Sequence, residues 1–177
     1  TPPFLLQTAA DRRMDRYTEL AFAGQVDEAR AVWRSLEPVR RALADTRART
    51  VTAVEASKTS VTDVYGIGPI GAAIIVGHSG DIRRFPTGGH YARYNGTAPL
   101  EASSGPRTRH RLNPRGDRQL NHAIHTAALT QIAHDHPGRA YYERKQAEGK
   151  TKKEALRALK RRISDVVYRQ LIADTRD

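Results

Sequence analysis

The chain has 177 residues, with 30 Lys and Arg against 19 Asp and Glu, so its formal net charge is +11. This excess predicts a polyanionic partner: DNA, RNA or an anionic membrane. A membrane is the weakest of the three, because no apolar run is long enough to span a bilayer. Cysteine is absent, which excludes disulfides and thiolate zinc sites and is consistent with a cytoplasmic location.

The first third of the sequence predicts helix. From about Pro3 to Ala56, apolar residues recur at three- and four-residue spacing. Gly24 interrupts this pattern, and Pro38 lies inside the second helical run, where proline kinks or restarts a helix. The pattern is typical of a helical hairpin or a short coiled-coil arm over residues 1–58, and the ordinary role of such an element is packing or oligomerisation.

A different pattern follows at about 61–80, where Gly66-Ile67-Gly68 lies between two short apolar segments and precedes Pro69. This is the helix-hairpin-helix pattern, with Ile67 expected to pack between the helices. Glycines let the backbone approach a phosphate, and the next helix offers free N–H groups at its N-terminus. An ordinary tight turn between two helices is the alternative. A phosphate contact of this kind recognises backbone and not sequence.

The segment at about 95–118 combines adjacent serines with a run of arginines. Ser103 and Ser104 lie in a Gly/Pro turn, and an extended hairpin would place the alternating arginines after them on one face. Guanidinium groups bind phosphodiesters in bidentate fashion. Taken alone, the serines are also what an ordinary turn contains. The arginines are Arg107, Arg109, Arg111, Arg115 and Arg118.

Two further helical regions complete the chain. A helix from about Gly116 to His134 carries His122 and His125, but further ligands at metal-binding spacing are missing, so we expect no metal site. Basic helices follow at about 140–173, with Lys152 and Lys153 as candidate nucleic-acid contacts or as part of a solvated face. The sequence therefore predicts a mainly α fold, with a helical arm over 1–58 and a helical domain over 59–177.

The order of several motifs resembles a known family. The chain contains, in order, G-I-G-P-I-G-A-A, G-D-I-R-R-F, Y-N-G-T-A-P, S-S-G, R-G-D-R-Q-L-N-H-A-I and A-Y-Y-E-R-K followed by E-G-K-T-K-K-E-A-L-R-A. Between about Val61 and Gln170 it resembles the C-terminal domain of the bacterial insertion-sequence transposases related to the Piv and MooV recombinases. These are the bridge-RNA-guided IS110 recombinases. The arm resembles the coiled-coil linker of that family.

The resemblance implies a function and a division of the active site. It implies that Ser104, with Ser103 as the second choice, is a nucleophile that forms a covalent phosphoserine link with DNA. It also implies a guide RNA, assembly into a dimer or tetramer, and a RuvC-like domain whose acidic residues hold Mg²⁺. The chain lacks that acidic set, so we expect it to be a fragment that is inactive alone.

Two alternatives remain from the residues themselves. The chain could be a non-catalytic module that binds DNA or RNA through the helix-hairpin-helix and the basic helices, in a manner that depends on salt. It could also be an assembly domain, in which the arm makes the oligomer and the basic surface is incidental.

Overall fold

The structure, a computed structural model, describes residues 3–101, 110–111 and 116–176. The helices are α1 (Pro3–Ala56), α2 (Pro69–Ser79), α3 (Gly88–Tyr94), α4 (Arg118–Ala133), α5 (Pro137–Ala147) and α6 (Lys152–Asp174). Short 3-10 helices occupy Ser60–Asp63 and Ile82–Arg84, and two strands, β1 (Leu100–Glu101) and β2 (His110–Arg111), pair antiparallel. The mainly α fold predicted from the sequence is confirmed. None of the helices described is long and apolar enough to cross a membrane.

Helix α1 is one continuous helix of 54 residues with Pro38 inside it. The expected break at Gly24 and restart at Pro38 were wrong, and with them the hairpin alternative. A glycine costs about 1 kcal/mol and a proline about 3 kcal/mol in a helix interior, and both are surrounded here by strong helix formers. Ion pairs one turn apart, such as Arg41 Nε to Glu37 Oε1 at 3.1 Å, add to the local preference.

The chain divides into two compact units, Thr1–Ala48 and Arg49–Asp177. The last turns of α1 contribute to the core of the second unit, where Val54 is buried. The arm (1–58) and helical domain (59–177) expected from the sequence stay a prediction. A helix that continues unbroken across such a boundary leaves no composition change by which to find it.

The second unit is built around α4. Its buried face packs against α2, α5 and α6, and that face carries leucine, isoleucine and alanine at helical spacing. The core residues of α4 are Leu120, Ala123, Ile124, Ala127 and Ala128. From α6, Leu159, Ile163 and Val167 complete the same core. Small alanines on α4 permit close approach of the neighbouring helices.

Polar contacts fix the 3-10 helix before α2 to the end of α6. The Asp174 carboxylate accepts hydrogen bonds from the Ser60 amide at 3.1 Å and from the Thr59 hydroxyl at 2.7 Å. Burial raises the pKa of Asp174, but these hydrogen bonds outweigh it and hold the pKa below its ordinary value. The two ends of the second unit are therefore joined through a charged group.

The C-terminal basic region is two helices with a break between them. Gly149, with φ of +89°, follows the end of α5, and Thr151 begins α6 with a capping box. In that box the Thr151 hydroxyl accepts from the amide of Glu154, and the Glu154 carboxylate accepts from the Thr151 amide at 2.9 Å. The break turns α6 back across the core.

Candidate nucleic-acid interface

The helix-hairpin-helix pattern forms a tight turn, but the helix before the turn is only the four-residue 3-10 helix Ser60–Asp63. Ile67 is buried in the core, as predicted. Gly66 has φ of +89°, and a Cβ there would lie 2.8 Å from the carbonyl oxygen of Ala127 on α4. Gly66 is therefore needed for packing against a helix, whatever else it does.

Gly68 has a different environment. It precedes α2 as an exposed N-cap with no side-chain cap, and a Cβ there would meet nothing within 4 Å. Pro69 occupies the first turn, and the first amides of α2 have no partner within the helix. The turn is held to α4 by Gln131, whose Nε2 donates to the Tyr65 carbonyl at 2.8 Å. Of the two predicted glycines, Gly66 is packed against α4 and Gly68 is exposed; their predicted phosphate contacts stay predictions.

Two glycines that flank the serine and arginine segment, Gly96 and Gly116, are in contact. A Cβ on Gly116 would lie 2.5 Å from both Cα and N of Gly96, so the two backbones touch. The Asp117 amide donates to the Tyr94 carbonyl at 2.7 Å beside this contact. Gly96 and Gly116, which flank residues 97–115 (called the serine loop from here on), are therefore held together.

Between those glycines, β1 and β2 pair with Leu100 opposite Arg111 and Glu101 opposite His110. Arg111 thus lies in a strand that pairs antiparallel with β1; whether the alternating arginines share one face of a hairpin stays a prediction. Ser103, Ser104, Arg107, Arg109 and Arg115 lie outside the described residues, so their predicted roles stay predictions.

Asp117 follows Gly116 and connects it to α4. It is the N-cap of α4, and its Oδ1 accepts from the Leu120 amide at 2.9 Å, as expected for a helix-cap residue. Its Oδ2 lies 2.9 Å from His78 Nδ1. Burial raises the pKa of Asp117, and the hydrogen bonds from Leu120 and His78 more than offset this, so the pKa is lowered. Arg118 follows as the exposed first residue of α4.

A buried polar network surrounds Asn95, next to Gly96, and the sequence did not predict it. Asn95 is fully buried; its Nδ2 donates to Ser164 Oγ at 2.7 Å, and its Oδ1 accepts from Thr97 Oγ1 at 2.7 Å. Asn121 Nδ2 donates to the Asn95 carbonyl at 2.9 Å, and Lys160 Nζ donates to Asn121 Oδ1 at 2.6 Å. A buried network of this kind fixes one arrangement of its members.

The predicted cations at the start of α6 are exposed. Lys152 and Lys153 lie in the first turn, where positive side chains are unfavourable beside the helix dipole and an anion would be favourable. Their arrangement suits contact with a polyanion, and an ordinary solvated face would look the same.

In the part of the chain that the structure describes, no three His, Cys, Asp or Glu side chains come together as they would around a metal ion. His122 and His125 lie one turn apart on α4, and burial, with nearby Lys160, lowers the pKa of His125. The described residues thus do not fit the Mg²⁺ site that the family resemblance implies for the full-length protein.

Comparisons with known proteins agree on one group. Residues 58–143 match the model of the family described as "Transposase IS116/IS110/IS902 family". This segment includes α2, α3 and α4 and the loop with its two glycines. Residues 58–143 are thus similar to this family of transposases, and the relatives found are insertion-element proteins.

Three proteins show the extent of the similarity. The chain is 38% identical over 112 residues to the IS110 43.6 kDa protein of Streptomyces coelicolor, and 35% identical over 112 residues to the IS116 44.8 kDa protein of Streptomyces clavuligerus. It is 36% identical over 113 residues to the IS900 42 kDa protein of Mycobacterium paratuberculosis. Each alignment covers 63% of this chain and 28% of the relative. All three are called uncharacterized, and the chain spans less than a third of their length.

Proposed function

We propose that this chain is the C-terminal catalytic segment of an IS110-type transposase, with Ser104 as the nucleophile. The observation that carries the proposal is the base of the serine loop. The glycines that flank the segment rich in arginine, Gly96 and Gly116, meet backbone to backbone inside the region that matches the transposase family. Ser103 is the second choice for the nucleophile.

The proposed reaction is a transesterification. The hydroxyl oxygen of Ser104 attacks phosphorus, the new Oγ–P bond forms, and a P–O bond to one sugar breaks. The sugar oxygen leaves with a proton, so the phosphodiester link is kept as a phosphoserine. Arg107 and Arg109 stabilise the charge that develops on the phosphorane oxygens. A serine hydroxyl is a poor nucleophile at its free pKa and needs activation.

We propose that the activating groups belong to a RuvC-like domain outside these 177 residues. Mg²⁺ bound there would supply Lewis-acid chemistry. The residues described here would bind and orient the nucleic acid. Exposed Gly68 and the cations Lys152, Lys153 and Arg118 would contact the phosphate backbone of DNA or of a guide RNA.

The arm would assemble the protein. Large apolar side chains of α1 stand exposed at coiled-coil spacing: Trp33 is 60% exposed, Leu36 48% and Leu43 68%. Such a stripe is typical of the seam of a helix pair (the arm seam), and we propose a homodimer or tetramer formed through it. Burial of this stripe is the ordinary reason for a long amphipathic helix to persist.

The second candidate is a module that binds nucleic acid without catalysis. The open N-terminus of α2 after Gly68 favours it, because this feature binds phosphate without any serine chemistry. Both candidates predict binding that weakens as salt rises. They differ only in whether a strand is cut.

The experiment compares cleavage with binding. These residues, joined to a RuvC-like domain and supplied with guide RNA and Mg²⁺, are offered a labelled DNA target. The proposal expects Ser104→Ala to abolish cleavage and to leave DNA affinity unchanged, because alanine removes only the hydroxyl. Ser35→Ala on the exposed arm is the matched control. Cleavage that survives both Ser104→Ala and Ser103→Ala would contradict the proposal and leave the binding module.

A further inference from the structure

A cavity of about 280 Å³ lies at the base of the serine loop, between the loop's first residues and helices α5 and α6. Residues 96–99 form one side of it. The other side consists of Tyr141 from α5, Lys150 from the connection, and Glu154, Arg157, Ala158, Lys160 and Arg161 from α6. Ligand pockets span roughly 300–1,000 Å³, so this one suits a single small group.

The cavity is positively charged. Four cations line it against one carboxylate, that of Glu154. That carboxylate is already engaged, because Thr151 Oγ1 donates to it at 2.7 Å and this bond lowers the pKa of Glu154. Arg161 pairs with Asp165 at 2.9 Å, which leaves Lys150 and Arg157 as the cations most suited to an incoming anion.

Lys160 is the least expected member of the lining. It is only 7% exposed, yet it carries an ammonium group, and burial lowers its pKa. An ammonium has three N–H groups, and one of them donates to Asn121 Oδ1. A buried cation is costly unless it is paired. A phosphate oxygen in the cavity would pair with the Lys160 ammonium and offset the hydration that burial removes.

The remaining walls are apolar. Ala98, Pro99 and Ala158 present carbon, and Tyr141 adds an aromatic ring that has Arg144, Lys145 and Arg162 5.0–5.5 Å from its centroid. A groove that combines apolar or aromatic side chains with cations is typical of proteins that bind an unpaired base and its phosphate.

We propose that this cavity binds one unpaired nucleotide of the nucleic acid on which the serine loop acts, with the base against the apolar walls and the phosphate on Lys150, Arg157 and Lys160. This inference rests on the proposed function, since it assumes a nucleic-acid substrate. DNA and RNA share the chemistry, and the test distinguishes them.

The cavity is close to the proposed chemistry along the chain. Pro99 is five positions before Ser104, and five residues span at most about 18 Å by any path. The bound nucleotide would therefore lie within a few nucleotides of the phosphate under attack. By holding it, the cavity would fix the register of the strand.

The test measures preference for an unpaired base. Fluorescence anisotropy of the 177-residue chain is recorded with a duplex that carries one bulged nucleotide, with the same duplex whose bulge is abasic, and with a fully paired duplex, each as DNA and as RNA. We expect the bulged base to bind about tenfold tighter than the abasic bulge, in line with stacking of one base. Whichever nucleic acid shows the preference is the ligand.

Two variants and one control define the site. Ala158→Trp fills the cavity and should remove the preference for the base, and Arg157→Gln should weaken binding of the bulged duplex more than that of the paired one. Arg169→Gln removes an exposed charge from the same helix and should leave the preference intact. Thermal melts verify that each variant folds, and Arg157→Gln provides the test if Ala158→Trp does not.

The outcomes separate this inference from the proposed function. Equal affinity for bulged and abasic duplexes, or no binding of either, as both DNA and RNA, would overturn the inference, as would a preference that survives in folded Ala158→Trp. Ser104→Ala should keep the preference for the base. Loss of cleavage with the preference for the base retained would concern only the role of Ser104. Loss of the preference with cleavage retained would concern only the cavity.

Discussion

Substitution of Gly116 by alanine tests whether the base of the serine loop depends on contact between two backbones. The added Cβ would lie 2.5 Å from Cα and N of Gly96 and 3.1 Å from the carbonyl carbon of Asn95. Carbon atoms prefer separations of about 3.5–4.0 Å, so one backbone must move by roughly 1 Å. Gly96 has φ of +72°, in the left-handed region, and this narrow region limits how far its backbone can move away from the added Cβ.

The expected cost follows from these distances. Overpacking costs about 1–3 kcal/mol, and the upper end applies because backbone lies on the far side. Alanine returns roughly 0.4–1 kcal/mol by restricting the unfolded chain. The net loss is then about 2 kcal/mol, which corresponds to a fall in Tm of about 8 °C for a unit of this size.

Thermal melting followed by circular dichroism measures this loss. Gly77→Ala is the matched control, because Gly77 lies inside α2 and a Cβ there meets nothing within 4 Å. That variant should melt above the wild type, since alanine is the better helix former. If Gly116→Ala melted at or above the wild-type temperature, the account of the loop base would be refuted.

The Asp174 carboxylate, the buried Lys160 and the exposed apolar stripe of α1 can each be tested by substitution. Asp174→Asn should lower Tm at pH 7. Because the pKa of Asp174 is lowered from 3.8 in the folded chain, this contribution to stability is present above 3.8 and is lost as the pH falls below it, so the gap to wild type should narrow there; a gap in melting curves that begins to close well above pH 3.8 would contradict this. Lys160→Met removes a costly buried charge but also the donor to Asn121 Oδ1. The free energy of unfolding, measured with urea, should therefore fall by no more than about 1–3 kcal/mol, while nucleotide binding weakens; unchanged nucleotide binding would be against it. Leu36→Glu should shift sedimentation from oligomer to monomer, whereas Ala31→Glu, on the opposite side of α1, should not; equal sedimentation of both variants would argue against the seam.

The sequence predicted helix positions well and helix continuity poorly. The bounds of α1 were predicted correctly, since a 3.6-residue apolar period is a strong signal over this length. The break at Gly24 was wrong because local propensity is a weak term against the sum over a long helix. The burial of Val54 could not be predicted, because it depends on partners distant in sequence.

The candidate site was only partly predictable. The pattern around Gly68 and Pro69 located an exposed helix N-terminus. By contrast, Gly66 fits a packing role that only the position of α4 reveals. Lys160 was hidden in a basic run that reads as a solvated face, and its burial, with the cavity it lines, depends on how α6 crosses α4. Asn95 gave no signal, because a buried amide and a turn amide look alike in sequence.

The central claim is that Ser104 forms the covalent link with DNA. The direct measurement is covalent trapping with a nicked or suicide DNA target, guide RNA and Mg²⁺, using these residues joined to a RuvC-like domain. The adduct is separated on a denaturing gel and mapped by mass spectrometry. The account predicts an adduct on Ser104 that is lost in Ser104→Ala and kept in Ser103→Ala. No adduct in any variant, with DNA binding intact, would contradict it and leave a nucleic-acid-binding module.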